Sequence, residues 1–509
     1  MSAPTSGTEL SKDSLRLWLL IGFLTAIRLV AAARVGLAED EMYYRLWSLF
    51  PTYGYLDHPP MVAWWIAAGR WIAGDNALGI RLFSVLAVIV GTLAMRRTAW
   101  LLTGSRALAL RSAIWLQAVP LVGVGAIIMT PDSPSVMFWA LALWAAAELD
   151  HSKNPRWLIA MGIFAGLGLE SKYSGLFFGA GFVLWISTDP ASRRWWRSPE
   201  LYLGGVMAIL IAAPVIYWNA QHHWASFEKQ FGRVAATRFS PRYLGEFISV
   251  AFGLLFPLIA IFAIIAVVDL LRRKSRSPRA VWFLLAYTLP FSIYLFIHSF
   301  HDRVQANWPA PLFPGLCLLA VIGSDSCEKD RARRALRTLV PYTAPIGIGL
   351  SLLIMLLAIL PMGVLPLKLD ITKRIRGWDT LSQAVAREQL KNGATWIATD
   401  SYVMTGTLSY ELRATQAASP VVPLCERLRY DSLPTPPPSL LKSPGLYVTL
   451  SRSDRSEQLK EFFSDVIPMG SIDRVVRDKT FGTYRLYLLG KPKDPELTAD
   501  FISERISGR

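Results

Sequence analysis

Cysteine is nearly absent from this 509-residue chain, which has three, and charge is scarce, with only 18% Asp, Glu, Lys and Arg. Three thiols, with Cys317 in an apolar run, Cys327 in a basic loop and Cys425 in the more polar C-terminal part, exclude a disulfide framework. No P-loop and no dinucleotide fingerprint occurs, and no internal repeat stands out. Acids are the scarcer sign, 37 against 53 bases, for a formal charge of +16. What fills the chain instead is apolar: 53% hydrophobic residues, 19 of them Trp, and a mean hydropathy of +0.35. That share exceeds what an ordinary soluble domain carries.

Apolar runs long enough to cross a hydrocarbon core about 30 Å thick recur up to about residue 360. The expected spans number about eleven, at 15–33, 79–95, 107–128, 135–149, 157–170, 174–187, 201–218, 244–270, 280–298, 309–323 and 339–360. In a soluble protein the basic excess would suggest a nucleic acid partner, but its distribution argues for a bilayer and against nucleic acid. Arg96, Arg97, Arg106 and Arg111, then Lys153 and Arg156, then Arg193, Arg194 and Arg197, then Arg272 to Arg279, then Lys329 to Arg337, fall in every second loop. The positive-inside rule then expects a cytoplasmic N-terminus, with the stretch after the first span and everything beyond residue 361 outside. Small residues in "VGLA" at 35–38 would allow a signal peptide instead. Arg28 inside the apolar core and the parity of the basic loops argue against it.

The expected fold class is a polytopic α-helical membrane protein with a C-terminal α/β domain. Its membrane part covers residues 1–360, with a first outer loop at 34–78, and the α/β domain covers 361–509. In that domain "GWDTLSQAVAREQLKNG" and "SYVMTGTLSYELR" are expected to be helices, as is "SEQLKEFFSDV". "ATWIATD", "GLYVTL" and "TYRLYLLG" are expected to be strands, and "LPTPPPSLLKSPG" a loop. Asp400 is read as a helix N-cap. "GIFAG" and "GLFFG" have the small-xxx-small spacing of close helix packing.

The outer loop "EDEMYYRLWSLFPTYGYLDHPPMVAWW", residues 39–65, concentrates four carboxylates and a histidine among aromatics. A helix over 38–49 would put Asp40, Tyr43, Tyr44 and Trp47 on one face with Glu41 beside it. The turn "PTYGY" would bring Asp57 and His58 back near the same interface. A hydrated loop explains the acids as well as a site does, yet carboxylates at a membrane boundary are costly unless paired or used. The same outer level carries Asp132 in "MTPDSP", Glu170, Lys172 and Tyr173 in "LESKYSG", His222, His223, Arg233 and Arg238 in "WNAQHHWASFEKQFGRVAATRFSPRY", and Arg303 and Asn307 in "HSFHDRVQANWPAP". Singly each has a bland role: Lys172 can snorkel, Asp132 can cap a helix, and the histidine pair can lie in an interfacial loop. Together they describe a cavity with an acidic and a cationic side, suited to a reaction that expels an anion.

With "DEMYY" (40–44), "GYLDHPP" (54–60), "TPD" (130–132), "SKYSG" (171–175), "PVIYWNAQHHWASF" (214–227) and "NWPAP" (307–311) in hand, the chain resembles GT-C glycosyltransferases. It resembles in particular the branch that transfers aminoarabinose or galacturonic acid to lipid A, and more distantly it resembles protein O-mannosyltransferases. The resemblance implies a bacterial inner-membrane enzyme with a periplasmic terminal domain. It implies a polyprenyl-phosphate-linked sugar as donor and an envelope glycolipid, lipid A or lipopolysaccharide core, as acceptor. Asp40 is then the expected base, with Glu41 and Asp57 as further catalytic acids. Tyr44, His58, Asp132, Lys172, Arg233, Arg238 and Arg303 are expected to hold the donor and its phosphate. Asp40, Glu41, Asp57 and His58 have the chemistry to share a divalent cation. The family pattern carries glutamate and lysine where this chain has Asp57 and His58. That puts the phosphate clamp in question, since histidine is a weaker fixed cation and a better metal ligand. The competing expectations are protein O-mannosylation, a lipid-linked-sugar transporter or flippase, and a non-enzymatic lipid-binding scaffold.

Overall fold

The computed structural model describes residues 6–232, 239–360, 371–414 and 419–507. The chain forms two compact units. One is Met1–Ala33, His58–Val62 and Arg81–Leu356; the other is Arg34–Asp57, Ala63–Ile80 and Leu357–Arg509.

The first unit is helical throughout its described residues. Five helices are long and apolar enough to cross a membrane, at Lys12–Arg34, Ala77–Thr103, Pro278–His298, Ala310–Lys329 and Arg331–Ile359, and up to eight if bent pairs count as single spans. The expected count of about eleven spans is therefore not confirmed among the described residues, although helices occupy every expected position. Breaks and short helices account for the difference. The run 107–128 turns by 71° after Ala118, 201–218 by 49° after Ile211, and 244–270 by 104° after Leu255, each two or three residues ahead of a proline, Pro120, Pro214 and Pro257. The helices Arg156–Ser171 and Leu176–Thr188 are too short to count alone.

Small residues set the helix spacing, as "GIFAG" led one to expect. A Cβ on Gly162 would lie 2.0 Å from the Gly204 carbonyl oxygen, and one on Gly166 2.9 Å from that of Ala208, so the helices Arg156–Ser171 and Pro199–Ile211 touch backbone to backbone. Gly179 of "GLFFG" meets nothing within 4 Å. Three of the arginines from the basic stretches pair with acids near helix ends: Arg97 with Glu148 at 2.6 Å, Arg111 with Glu328 at 2.9 Å and Arg333 with Asp269.

The second unit carries a five-stranded sheet: β1 Trp396–Thr399, β2 Val421–Pro423, β3 Gly445–Leu450, β4 Val466–Val476 and β5 Lys479–Leu489, in the order β2-β1-β3-β5-β4. β1 pairs in parallel with β2 and β3, whereas β5 runs antiparallel to β3 and β4. Helices follow at Trp378–Lys391 and Tyr402–Glu411, as expected, and at Ala499–Ser507. The expected helix in "SEQLKEFFSDV" shrinks to Ser456–Leu459, and its Val466 opens β4 instead. Pro468 and Asp473 hide the strand pattern of β4, which lies at a sheet edge where proline is tolerated and where register shifts occur at Pro468/Gly470 and Arg474/Val475. The N-cap of Tyr402–Glu411 is Ser401, whose hydroxyl accepts from the Met404 amide at 3.4 Å. Asp400 is thus not the cap: its carboxylate accepts hydrogen bonds from Tyr447 at 2.8 Å and Thr449 at 2.7 Å on β3.

Candidate active site

The helix expected over 38–49 spans Glu39–Leu49. Three acids in its first turn suit the positive end of the helix dipole. Tyr43, Tyr44 and Trp47 are buried as the heptad spacing implies, and Tyr44 packs its ring against Tyr43 and Trp47. Trp47 stacks on Tyr55, ring centroids 4.2 Å apart, and the Tyr55 hydroxyl donates to the Trp47 carbonyl at 3.2 Å, which closes the turn "PTYGY". The helix Tyr402–Glu411 lies directly against this one. A Cβ on Gly406 would fall 2.8 Å from the Tyr43 nitrogen, so only glycine allows the approach.

The acids of the loop divide by what they touch. Glu41 is fully buried, and one carboxylate oxygen accepts from the Ala38 amide at 2.9 Å, the returning half of a capping box. Asp57 accepts from the Tyr43 hydroxyl at 2.9 Å and pairs with Arg429. Glu39 lies 3.8 Å from Arg474. Asp40 remains exposed and, among the described residues, has no ion pair. Its pKa is raised, first by displacement of water from around the carboxyl, then by the negative charges of Asp57 and Glu41, with the nearby Tyr402 hydroxyl acting the other way. An exposed carboxylate with raised proton affinity is suited to accept a proton.

Behind this cluster Asp75 ties the loop together. Arg45 and Arg70 both bond its carboxylate, Arg70 at 2.8 Å, and the Arg413 side chain donates to its carbonyl at 3.2 Å. Partial burial alone would raise the Asp75 pKa, but the hydrogen bonds and charges of the two arginines outweigh it and hold it at about 2. A folded pKa below the unfolded value gives stability that is complete above about pH 4 and is lost as pH falls through about 2, worth about 2 kcal/mol. Asp75→Asn is expected to lower the thermal midpoint at neutral pH and to flatten the acid-side loss of stability between pH ~4 and ~2. Thermal unfolding of the detergent-solubilised protein across that range measures it. An unchanged acid limb would count against this pairing.

In the first unit a second polar cluster forms around Asp132, the first residue of the helix Asp132–Ser152. Lys172 donates to one of its carboxylate oxygens at 2.6 Å and Asn307 to the other at 2.5 Å, with Thr130 at 3.3 Å. Lys172 reaches it because the helix Arg156–Ser171 ends one residue earlier and Lys172 is extended, ahead of a tight turn at Tyr173–Gly175. Glu170 accepts from the Val215 amide at 3.2 Å, and Tyr173 bonds Ser226 and Asn219 at 2.8 and 3.1 Å. Three loops far apart in sequence thus meet at one lysine and one carboxylate.

Other expected residues fare differently. Arg303 is exposed and pairs with Glu246 at 2.5 Å, so a clamp role would require that pair to open. His58 is half-buried. His222 stacks on Trp218, ring centroids 4.0 Å apart, and bonds its carbonyl, which makes it part of a turn in which His223 and Trp224 have positive φ. Arg233 and Arg238 lie outside the described residues. Among the described residues no group of three or more His, Cys, Asp or Glu is arranged to hold a metal. The expected sharing of a cation by Asp40, Glu41, Asp57 and His58 has a physical obstacle, since Glu41 is turned to the Ala38 amide and Asp57 to Arg429. Arg429 and Asp75 were missed from the sequence. Arg429 sits in an unremarkable loop 372 residues from Asp57, and no local pattern could have linked them.

The family described as dolichyl-phosphate-mannose-protein mannosyltransferase matches residues 57–218. The lipid A galacturonosyltransferase RgtD of Rhizobium johnstonii is 26% identical over 398 residues, 74% of this chain and 77% of the relative. A polyprenol-phosphate-mannose–protein mannosyltransferase of Corynebacterium glutamicum is 30% identical over 161 residues, 26% of this chain and 30% of the relative. In fold, the chain is similar to ArnT from Cupriavidus metallidurans bound to undecaprenyl phosphate, with a TM-score of 0.63, 14% identity, and coverage of 92% of this chain and 97% of that one. The apo state of ArnT gives a TM-score of 0.64 at 15% identity over 94% and 98%. The resemblance carried by the outer-loop motifs is borne out in sequence and in fold.

Proposed function

We propose that the chain is a multi-pass glycosyltransferase of the GT-C kind that moves one sugar from a polyprenyl phosphate to lipid A or lipopolysaccharide core on the periplasmic side of a bacterial inner membrane, with inversion at C1. The observation that carries this reading is Asp40: the neighbouring acids Glu39, Glu41 and Asp57 are each engaged with a cation or an amide, while Asp40 is exposed and has a raised proton affinity. In the proposed reaction Asp40 takes the proton from the acceptor hydroxyl as its oxygen bonds to C1. The bond from C1 to the phosphate oxygen breaks, and its electron pair leaves with the polyprenyl phosphate. Lys172, held by Asp132, whose other carboxylate oxygen accepts from Asn307, is the proposed cation for that departing phosphate. The relative RgtD, named for galacturonic acid transfer to lipid A, supports a lipid A acceptor. Lipid A from a strain that lacks the protein is expected to lack one sugar residue mass, and mass spectrometry identifies the sugar and its recipient together. Unchanged lipid A and core masses would remove this acceptor.

The match of residues 57–218 to protein mannosyltransferases supports a second reading, with protein as acceptor. Labelled sugar in the protein fraction rather than in lipid extracts would decide for it.

A further inference from the structure

We propose that the first unit carries a binding site for an anionic phospholipid at the end of its helices remote from Asp132. Arg97 fixes the place: its guanidinium bonds Glu148 at 2.6 Å, near the C-terminus of the same helix that Asp132 begins. At about 1.5 Å per residue the two acids lie about 24 Å apart along that helix. The site is therefore distinct from the polar cluster of Asp132 and Lys172. Basic stretches gather at this end, the side that the positive-inside pattern expects to face the cytoplasm.

A cavity of about 630 Å³ opens there between the helices Lys12–Arg34, Ala77–Thr103 and Arg106–Ala118. Arg96, Arg97 and Arg106 line it together with the Trp100 indole and the apolar Leu93 and Leu110. Arg97 is offset by Glu148 and lies 4.5 Å from the centre of the Trp100 ring, and the Asp13 carboxylate in the lining faces Arg16 at 3.6 Å. The other two arginines differ. Arg96 reaches the Ser14 hydroxyl at 3.4 Å and Arg106 is exposed, and among the described residues neither has a carboxylate partner. Two guanidiniums at one cavity match a phosphate, whose oxygens accept from both. What continues the cavity identifies the source of that phosphate. Leu86, Val90, Leu93 and Arg97 fall on one face of the helix Ala77–Thr103, with Leu86 37% and Val90 39% exposed. From Leu86 to Arg97 the helix rises about 16 Å, half of a hydrocarbon core about 30 Å thick, so the stripe is one leaflet long and ends at the arginine. A soluble phosphate would need the cations alone. The occupant is thus a phospholipid, its phosphate between Arg96 and Arg106 and one acyl chain along Leu93, Val90 and Leu86, whichever sugar and acceptor the enzyme uses.

Native mass spectrometry of the full-length protein, stripped of lipid in detergent and titrated with phosphatidylglycerol, tests the site without donor or acceptor. The wild type is expected to hold this lipid more tightly than zwitterionic phosphatidylethanolamine. Each arginine lost should weaken phosphatidylglycerol binding about fivefold, the scale usual for a basic side chain at an anionic membrane surface, and the double variant Arg96→Gln with Arg106→Gln about 25-fold. Arg106→Gln alone, at an exposed position, carries the test should the double variant fold poorly. Arg272→Gln with Arg273→Gln removes two exposed arginines from another basic stretch and should leave the affinity in place. Glycerol phosphate at the same concentration should not displace the lipid, because it lacks the acyl chain. Wild-type affinity in the Arg96 and Arg106 variants, an equal loss in the Arg272 and Arg273 variant, or full displacement by glycerol phosphate overturns the proposal.

Discussion

Asp40→Asn is expected to fold, insert and bind donor lipid, and to lose transfer by about 10²- to 10⁴-fold, the usual contribution of a positioned general base. The substitution keeps the shape of the side chain but leaves a group that cannot take up a proton at neutral pH. It also removes a negative charge from a crowded group of acids, so stability should hold or rise slightly. The loss should therefore be in kcat, with the KM for donor little changed. Reconstituted protein with polyprenyl lipid extract as donor and lipid A as acceptor measures it. A wild-type rate would take Asp40 out of the chemistry, and a collapse in expression would mean that the charge serves the fold instead.

Lys172→Met should be nearly as damaging, for a different reason. Both partners of the Lys172–Asp132 pair are largely buried, with side chains 13% and 10% exposed, so removal of the cation leaves a carboxylate with only Asn307 and Thr130 as neutral donors. Truncation of one partner of such a pair costs about 2–5 kcal/mol, which corresponds to a loss of about 30-fold to several thousand-fold in kcat/KM if the same cation serves the donor phosphate. Two causes are mixed in that figure, and the double variant Lys172→Met with Asp132→Asn separates them. If Lys172 merely neutralises Asp132, the double variant regains donor affinity. If it holds phosphate, stability returns while the donor KM stays high. Recovery of a wild-type KM would leave Lys172 a structural residue.

A good part of the protein was legible in the chain because its signals are local. Period and apolar length gave helices at each expected position, and the strand patterns of "ATWIATD", "GLYVTL" and "TYRLYLLG" gave β1, β3 and β5. Where local pattern misled, long-range structure had overridden it. The runs near 118, 211 and 255 are bent rather than straight spans, and β4 carries a proline that only an edge position permits. Ser401 rather than Asp400 caps its helix, because the hydroxyls of Tyr447 and Thr449 across the sheet claim the Asp400 carboxylate.

The sequence by itself determined the kind of molecule and most of the cast: a bilayer protein, an acid-rich first loop with Asp40, and Asp132 and Lys172 among the polar residues of other loops. Composition, helical spacing and motif are properties of neighbouring residues, so they can be read along the chain. Only the tertiary structure decided how the acids differ from one another. Glu41 turned to the amide at its own helix's N-cap and Asp57 met Arg429, while Asp40 stayed exposed, on a loop against which a helix from the far end of the chain packs through Gly406. Charge and burial depend on three-dimensional neighbours, and identical carboxylates a residue apart acquire different chemistry only when those neighbours arrive.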